Sequence, residues 1–345
     1  MSLGDFAGVL TLFRFRFASD ISTASTGRID DITMRGCAGD GRSDLVAWKA
    51  SGPVQVLASS GSAFSSSQWA DGFVSHRYDV YYADVNGDGR ADLVSRNKEN
   101  GSVEVFRGTG SAFQYLAGTG PGGVWSYGWG TTYGLYFADV TGDGKADLVG
   151  RHQGTGDVYV FVSTGTGFAN AGLWSYGWSS GYDLYLGDVT GDGKADLVAR
   201  YFGPTAGLTG DIYVAASTGA GFTFSGRWTY GFSAGYDVFL GDMDGDGKKD
   251  LLARYFGPTA GLTGDVYVLR STGSAFSFNG NFGRWTYGWG STYDVVVRDV
   301  TRDGKADFIG RNTATGEVVV ATSTGSALVF QGAWAAGIDA SYKIR

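Results

Sequence analysis

Short apolar runs separated by glycine-rich turns recur along the whole chain, and no long segment carries the spacing of an amphipathic helix. Runs such as Tyr182-Asp-Leu-Tyr-Leu-Gly187, Leu197-Val-Ala199 and Ile212-Tyr-Val-Ala215 are rich in β-branched and aromatic residues and bounded by Gly, Asp, Ser and Thr. This predicts short strands joined by tight turns. Their order repeats: a Trp-x-x-Gly segment, a first strand, an aspartate-rich loop, a second strand, a hairpin, a third strand, a Ser-Thr-Gly turn and a fourth strand. Four strands in about 50 residues make one propeller blade.

Five full copies of the aspartate loop are present, Asp84-Val-Asn-Gly-Asp-Gly-Arg-Ala-Asp92 and the same frame at residues 139–147, 188–196, 242–250 and 299–307. A degenerate copy occupies residues 36–44. The copies begin 55, 49, 54 and 57 residues apart, and two of the longer periods contain a lengthened hairpin, Arg200 to Asp211 and Arg254 to Asp265. Trp-led segments start at Trp69, Trp125, Trp174, Trp228, Trp285 and Trp334, and Ile29-Asp-Asp-Ile-Thr33 holds the first-strand place before the degenerate loop. Counted this way there are seven first strands. The expectation is one all-β domain over residues 1–345, a seven-bladed β-propeller of four-stranded antiparallel blades. The last, Tyr342 to Arg345, would join N-terminal strands near Gly4-Asp-Phe-Ala-Gly8 in one blade, pairing the termini and closing the ring.

The loop frame is D-x-[D/N/T]-x-D-G-x-x-D, which places hard oxygens on alternate residues of a sharp turn, as calcium requires. Positions one, three and five supply side-chain oxygens, the sixth is the turning glycine, the seventh offers its carbonyl and the ninth reaches back. The predicted ligands are therefore Asp84, Asn86, Asp88, Arg90 and Asp92 in the first loop, then Asp139, Thr141, Asp143, Lys145 and Asp147. Asp188, Thr190, Asp192, Lys194 and Asp196 follow, then Asp242, Asp244, Asp246, Lys248 and Asp250, and finally Asp299, Thr301, Asp303, Lys305 and Asp307. About five calcium ions are expected. The Asp242 loop, with a fourth carboxylate, is expected to bind most tightly, and the copy with Gly36 and Ala38 in place of ligands is expected to stay empty. At about 30-fold over the dissociation constant, each ion would add about 2 kcal/mol of stability. Magnesium is disfavoured because it holds its water.

These loops, in periods of this length, resemble the FG-GAP or VCBS repeats of the integrin α-subunit propeller and of bacterial secreted proteins. The Trp-x-x-Gly and Ser-Thr-Gly-x-x-Phe elements are also similar to those of seven-bladed fungal lectins of the Psathyrella velutina type. That second resemblance implies binding of N-acetylglucosamine or sialic acid.

Composition removes other classes. A single cysteine, Cys37, excludes an internal disulfide framework, so bound metal is the candidate staple. A net charge of −7 argues against nucleic acid, and the longest apolar runs fall short of the 18 residues a membrane span needs, so no membrane insertion is expected. Phe6 to Phe13 lacks a basic leader and makes a poor signal peptide. Weak loops of this kind nevertheless point to a calcium-rich extracellular or periplasmic setting. His76 and His152 lie in no metal or nucleophile motif and Cys37 has no marked base nearby, so an enzyme is not expected.

Antiparallel connections alternate faces, which puts the second-to-third hairpins and the Trp-bearing links opposite the aspartate loops. The candidate ligand residues there are the aromatics Tyr127, Trp129, Tyr176, Trp178, Tyr230, Phe232, Tyr287 and Trp289. Beside them fall Arg151, Arg200, Arg254 and Arg311, with Tyr201 and Tyr255. Aromatic faces beside forked donors suit sugars, and repetition around a ring gives avidity. The same arginines could instead pair with strand aspartates such as Asp183, Asp237 and Asp294, and the leading tryptophans read as wedges between blades. The expected function is a monomeric, multivalent, calcium-stabilised lectin whose partners are glycans or glycoconjugates. The alternatives are an integrin-like module with a protein partner and, further off, a carbohydrate-active enzyme such as a polysaccharide lyase.

Overall fold

The computed structural model describes residues 39–205, 207–257, 259, 261–278 and 283–344. Among them, six antiparallel sheets of four strands each are present, which we number as blades in chain order. Blade 1 holds Leu45–Lys49, Val54–Ser59 and Phe64–Ala70, and blade 2 Tyr78–Ala83, Asp92–Asn97, Val103–Gly108 and Phe113–Leu116. Blade 3 comprises Tyr133–Ala138, Asp147–His152, Val158–Ser163 and Phe168–Ser175, and blade 4 Tyr182–Gly187, Asp196–Tyr201, Ile212–Ser217 and Phe222–Thr229. Blade 5 runs through Tyr236–Gly241, Asp250–Tyr255 and Val266–Ser271, and its outer strand is split into Phe276–Phe278 and Arg284–Thr286. Blade 6 is Tyr293–Arg298, Asp307–Asn312, Val318–Ser323 and Leu328–Ala335.

Each sheet is covered on both faces by its neighbours, so its second strand is buried almost throughout, polar residues included. Asp92–Asn97 is buried at every position. The outer strands have no such cover: Phe168–Ser175 buries only Phe168 and Trp174 fully, and it is kinked by irregular register against Val158–Ser163. Apolar clusters fill the seams, with Val160 and Leu184 between blades 3 and 4, Val214 and Leu251 between 4 and 5, and Val268 and Phe308 between 5 and 6. Leu45, Ile309 and Ile344 join blades 6 and 1, and Val46, Val80 and Leu135 continue through blades 1, 2 and 3, which closes the ring.

The seven-blade expectation is corrected to six. Tyr342–Ile344 pairs antiparallel with Leu45–Lys49, Lys343 facing Trp48, and is the first strand of blade 1. It takes the place assigned to Ile29 to Thr33, and only one strand can pair with that inner edge. Two segments of the sequence fit this one vacancy, which adds a blade to a count made from first strands. Closure by a C-terminal strand is present, but its partner is Leu45–Lys49. The segments Gly4 to Gly8 and Ile29 to Thr33 lie outside the described residues.

Candidate metal loops and an exposed tyrosine face

The five aspartate loops join first to second strands. Their turn needs left-handed backbone at two places, not one: in the loop from Asp188, Gly191 and Gly193 both have φ of +84°. This conformation turns amides inward, so Asp188 Oδ1 accepts from Gly191 N at 2.6 Å and Asp192 N at 3.1 Å while Oδ2 accepts from Gly193 N at 2.8 Å. The fully buried Asp196 takes Val189 N at 3.0 Å and Ser217 N at 2.8 Å, tying the loop to the end of the third strand. Asp92, Asp147, Asp250 and Asp307 do the same in their blades. In the loop from Asp299 the fourth residue is Arg302, which holds the left-handed conformation at φ +65° without being glycine.

Burial pushes these ninth-position carboxyls up, to about 7 for Asp92, Asp250 and Asp307 and to about 6 for Asp147 and Asp196. Neighbouring loop carboxylates raise Asp92, Asp147, Asp250 and Asp307 further. In the fourth full loop, oxygens of Asp242, Asp244 and Asp250 lie within 4.8 Å of one another, close enough for one cation to bridge. The donor set consists of hard oxygens around a buried carboxylate that resists ionising alone, and it fits a hard divalent cation. At the seventh position the side chains fold back: Lys145, Lys194, Lys248 and Lys305 pair with Asp143, Asp192, Asp246 and Asp303 at 2.5–2.8 Å. In the degenerate copy Gly36 and Ala38 are outside the described residues, Asp40 pairs with Arg42 at 2.8 Å, and Asp44 is buried against Ser59 N.

The loops also interlock. Ala195 N donates to the Asp139 carbonyl of the preceding blade at 2.8 Å, and Ala146, Lys249, Ala306 and Ser43 repeat the bond around the ring. The turn serine follows suit: Ser217 Oγ donates to the Val140 carbonyl at 2.6 Å, as Ser59, Ser163, Ser271 and Ser323 do in their blades. This bond between blades accounts for the serine of the Ser-Thr-Gly turn.

On the opposite face each inter-blade link is pinned to the hairpin of the blade it leaves, as in Trp178 N to Gly156 O at 3.0 Å and Phe232 N to Gly210 O at 2.9 Å. The glycine between the two aromatics of each link is left-handed, as in Gly177 at φ +89° and Gly231 at φ +97°, and this turn sends the two side chains different ways. Tyr127, Tyr176, Tyr230 and Tyr287 are 67%, 78%, 69% and 74% exposed, whereas Trp129, Trp178, Phe232 and Trp289 are buried. Trp129 lies against Gly150, where a Cβ would come within 2.1 Å of its ring. The leading tryptophans are buried too.

The arginines are also inside. Arg96, Arg200, Arg254 and Arg311 pair with Asp79, Asp183, Asp237 and Asp294 of the adjacent first strand. Each guanidinium then reaches the next blade, Arg200 donating to the Tyr236 carbonyl at 2.6 Å and Arg151 to that of Tyr182 at 2.6 Å. Tyr201 packs on Tyr182 with ring centres 4.9 Å apart and bonds Thr205, and Tyr255 does likewise with Tyr236 and Thr259. The structure thus brings the tyrosines to the surface and the arginines to the seams.

Two clusters went unread in the sequence. Arg227 lies over the Tyr230 ring at 5.2 Å and pairs at 3.0 Å with Asp211, which also accepts from Tyr213. Arg284 over Tyr287, paired with Asp265 and Tyr267, repeats it one blade on. The signal was present, since Arg-Trp-Thr-Tyr occurs only in the two periods with lengthened hairpins.

The family description for an FG-GAP-like repeat matches residues 38–95, 84–150 and 139–199. Residues 38–199 carry FG-GAP-like repeats. The periods after residue 199 continue the same aspartate-loop frame through blade 6. No curated protein matches the chain in sequence. Among solved structures, a lectin of Agrocybe aegerita, described for its specific recognition of non-reducing terminal N-acetylglucosamine, is similar in fold. It has a TM-score of 0.60 and 23% identity over 90% of this chain and 83% of that one. A holotoxin pore of Photorhabdus luminescens matches at a TM-score of 0.49 and 18% identity, over 86% of this chain and 14% of that one.

Proposed function

We propose that this FG-GAP-like propeller is a calcium-stabilised, multivalent carbohydrate-binding protein, without catalytic activity, that works in an extracellular or periplasmic setting. One observation carries the glycan reading: four tyrosines, each about three-quarters exposed, stand at equivalent places on one face of the ring. A large aromatic left mostly in water at a repeated position adds little to the core, and a phenol ring offers an apolar face for sugar C–H groups with a hydroxyl at its edge. At Tyr230 and Tyr287 the paired Arg227 and Arg284 add oriented donors beside the ring. The ligand seen in the Agrocybe lectin makes a terminal N-acetylglucosamine the first sugar to try. The buried arginines at 96, 151, 200, 254 and 311 belong to the scaffold in this reading.

The calcium reading rests on the loop donors and on the buried ninth-position carboxyls, whose charge a cation would stabilise. Residues at positions one, three, five and nine would hold the ion with the seventh carbonyl. Such loops call for calcium levels found outside the cytosol. A glycan array probed with and without chelator tests both parts. Saturable binding that chelator abolishes supports the proposal; silence on every glycan contradicts the lectin reading, and release of product from a glycan contradicts the non-catalytic one. Equilibrium dialysis should find about five calcium ions per chain, and two or fewer would contradict the metal assignment.

A further inference from the structure

By carboxylate count the loop beginning at Asp242 should hold calcium most tightly, because Asp244 adds a fourth acid. It is also the loop with the most cations built around it. Lys248 pairs with Asp246 at 2.5 Å, and Lys249 fills the eighth place, which is alanine in the other four full loops. The third cation comes from outside the loop: Arg270 Nε, on the third strand of the same blade, lies 3.1 Å from Asp244 Oδ2. The corresponding residues of blades 3, 4 and 6 are Val162, Ala216 and Thr322. Blade 2 has Arg107, but it points outward to Gln114 at 3.4 Å.

Arg270 is held in place from three sides. Its Nη2 donates to the Gly325 carbonyl in the turn of blade 6, and its guanidinium carbon lies 5.8 Å from the centre of the Trp285 ring. A fixed positive charge beside a ligand carboxylate opposes a divalent ion at that carboxylate, and the effect is strong over a few ångströms in a partly buried site. Four carboxylates facing Lys248, Lys249 and Arg270 leave less negative charge than the three that face one lysine in the loops from Asp139 and Asp188.

We propose that Arg270 is an internal counter-ion for Asp244, which makes the Asp242 loop a weaker and more readily exchanged calcium site than the loops from Asp139 and Asp188. Affinity is then ordered by what neutralises the carboxylates, not by their number. The inference rests on the calcium reading above. Because Arg270 also spans the seam to Gly325, an ion that displaces it disturbs the contact between blades 5 and 6.

Calorimetric titration with calcium alone, on chelator-stripped protein, tests this. Arg270→Gln keeps an amide donor for the Gly325 carbonyl and removes the charge, and it should tighten one site by about tenfold with the others unchanged. Arg270→Lys, which keeps the charge, should leave that site weak. Asp244→Thr, which leaves the Arg270 charge without its carboxylate, should weaken the site, and adding Arg270→Gln should recover part of that loss. Calcium binding that Arg270→Gln leaves unchanged or weakens overturns this inference alone, as does a loss in Asp244→Thr that adding Arg270→Gln does not relieve. No uptake by the unaltered protein overturns the calcium reading and this inference with it.

Discussion

Arg200 shows how a residue suited to sugar binding becomes part of the frame. Its guanidinium is buried, pairs with Asp183 across the first two strands, and donates to a carbonyl of the next blade. Replacing it leaves a buried carboxylate without its cation, so Arg200→Met should destabilise the fold by about 3 kcal/mol. Glycan affinity measured well below the melting temperature should not change, and a loss of affinity at unchanged Tm would return the arginines to the ligand site. The Asp183 and Arg200 pairing was open in the sequence as one of two readings, and only the strand register decides it. The separation of Tyr176 from Trp178 was less legible. Both are aromatic and two residues apart, and their fates differ because the left-handed Gly177 between them turns the link, leaving Tyr176 in water and Trp178 buried.

At the scale of the element, the loop frame was readable because its chemistry is local: five aspartate loops with glycine at the sixth place. The bonds between loops were not, because Ser217 and Val140 are 77 residues apart in sequence. Ser217→Ala leaves the Val140 carbonyl without its donor and should cost about 1–2 kcal/mol, read as a fall in Tm. The buried ninth-position carboxyls set a pH dependence in chelated protein. Their pKa values near 6–7 in the fold exceed the unfolded value near 4, so the folded state binds more protons between those limits. Stability of the chelated protein should therefore be greatest in mild acid and fall as pH rises from about 5 to about 8. Calcium should reverse that slope, since protons and the ion compete for the same oxygens. A chelated protein whose Tm rises over this range would contradict the burial of these groups.

For the whole molecule, the blade pattern and the ring were legible in the spacing of repeats, but the count was not. Two segments matched a first strand, and sequence alone could not say which of them lies beside Leu45–Lys49. Since Tyr342–Ile344 fills that place, deleting residues 342–345 should remove the inner strand of blade 1 and uncover Leu45 and Ile309 at the seam. A drop in Tm of several degrees is expected, and an unchanged Tm would mean that the ring closes another way. The same ring spaces the four exposed tyrosines on which the proposed multivalent binding rests. The most direct test of that role is calorimetric titration of a glycan ending in N-acetylglucosamine into the calcium-loaded protein and a variant carrying alanine for Tyr127, Tyr176, Tyr230 and Tyr287. The account predicts saturable binding by the unaltered protein and none by the variant at unchanged Tm; equal binding by both would contradict it.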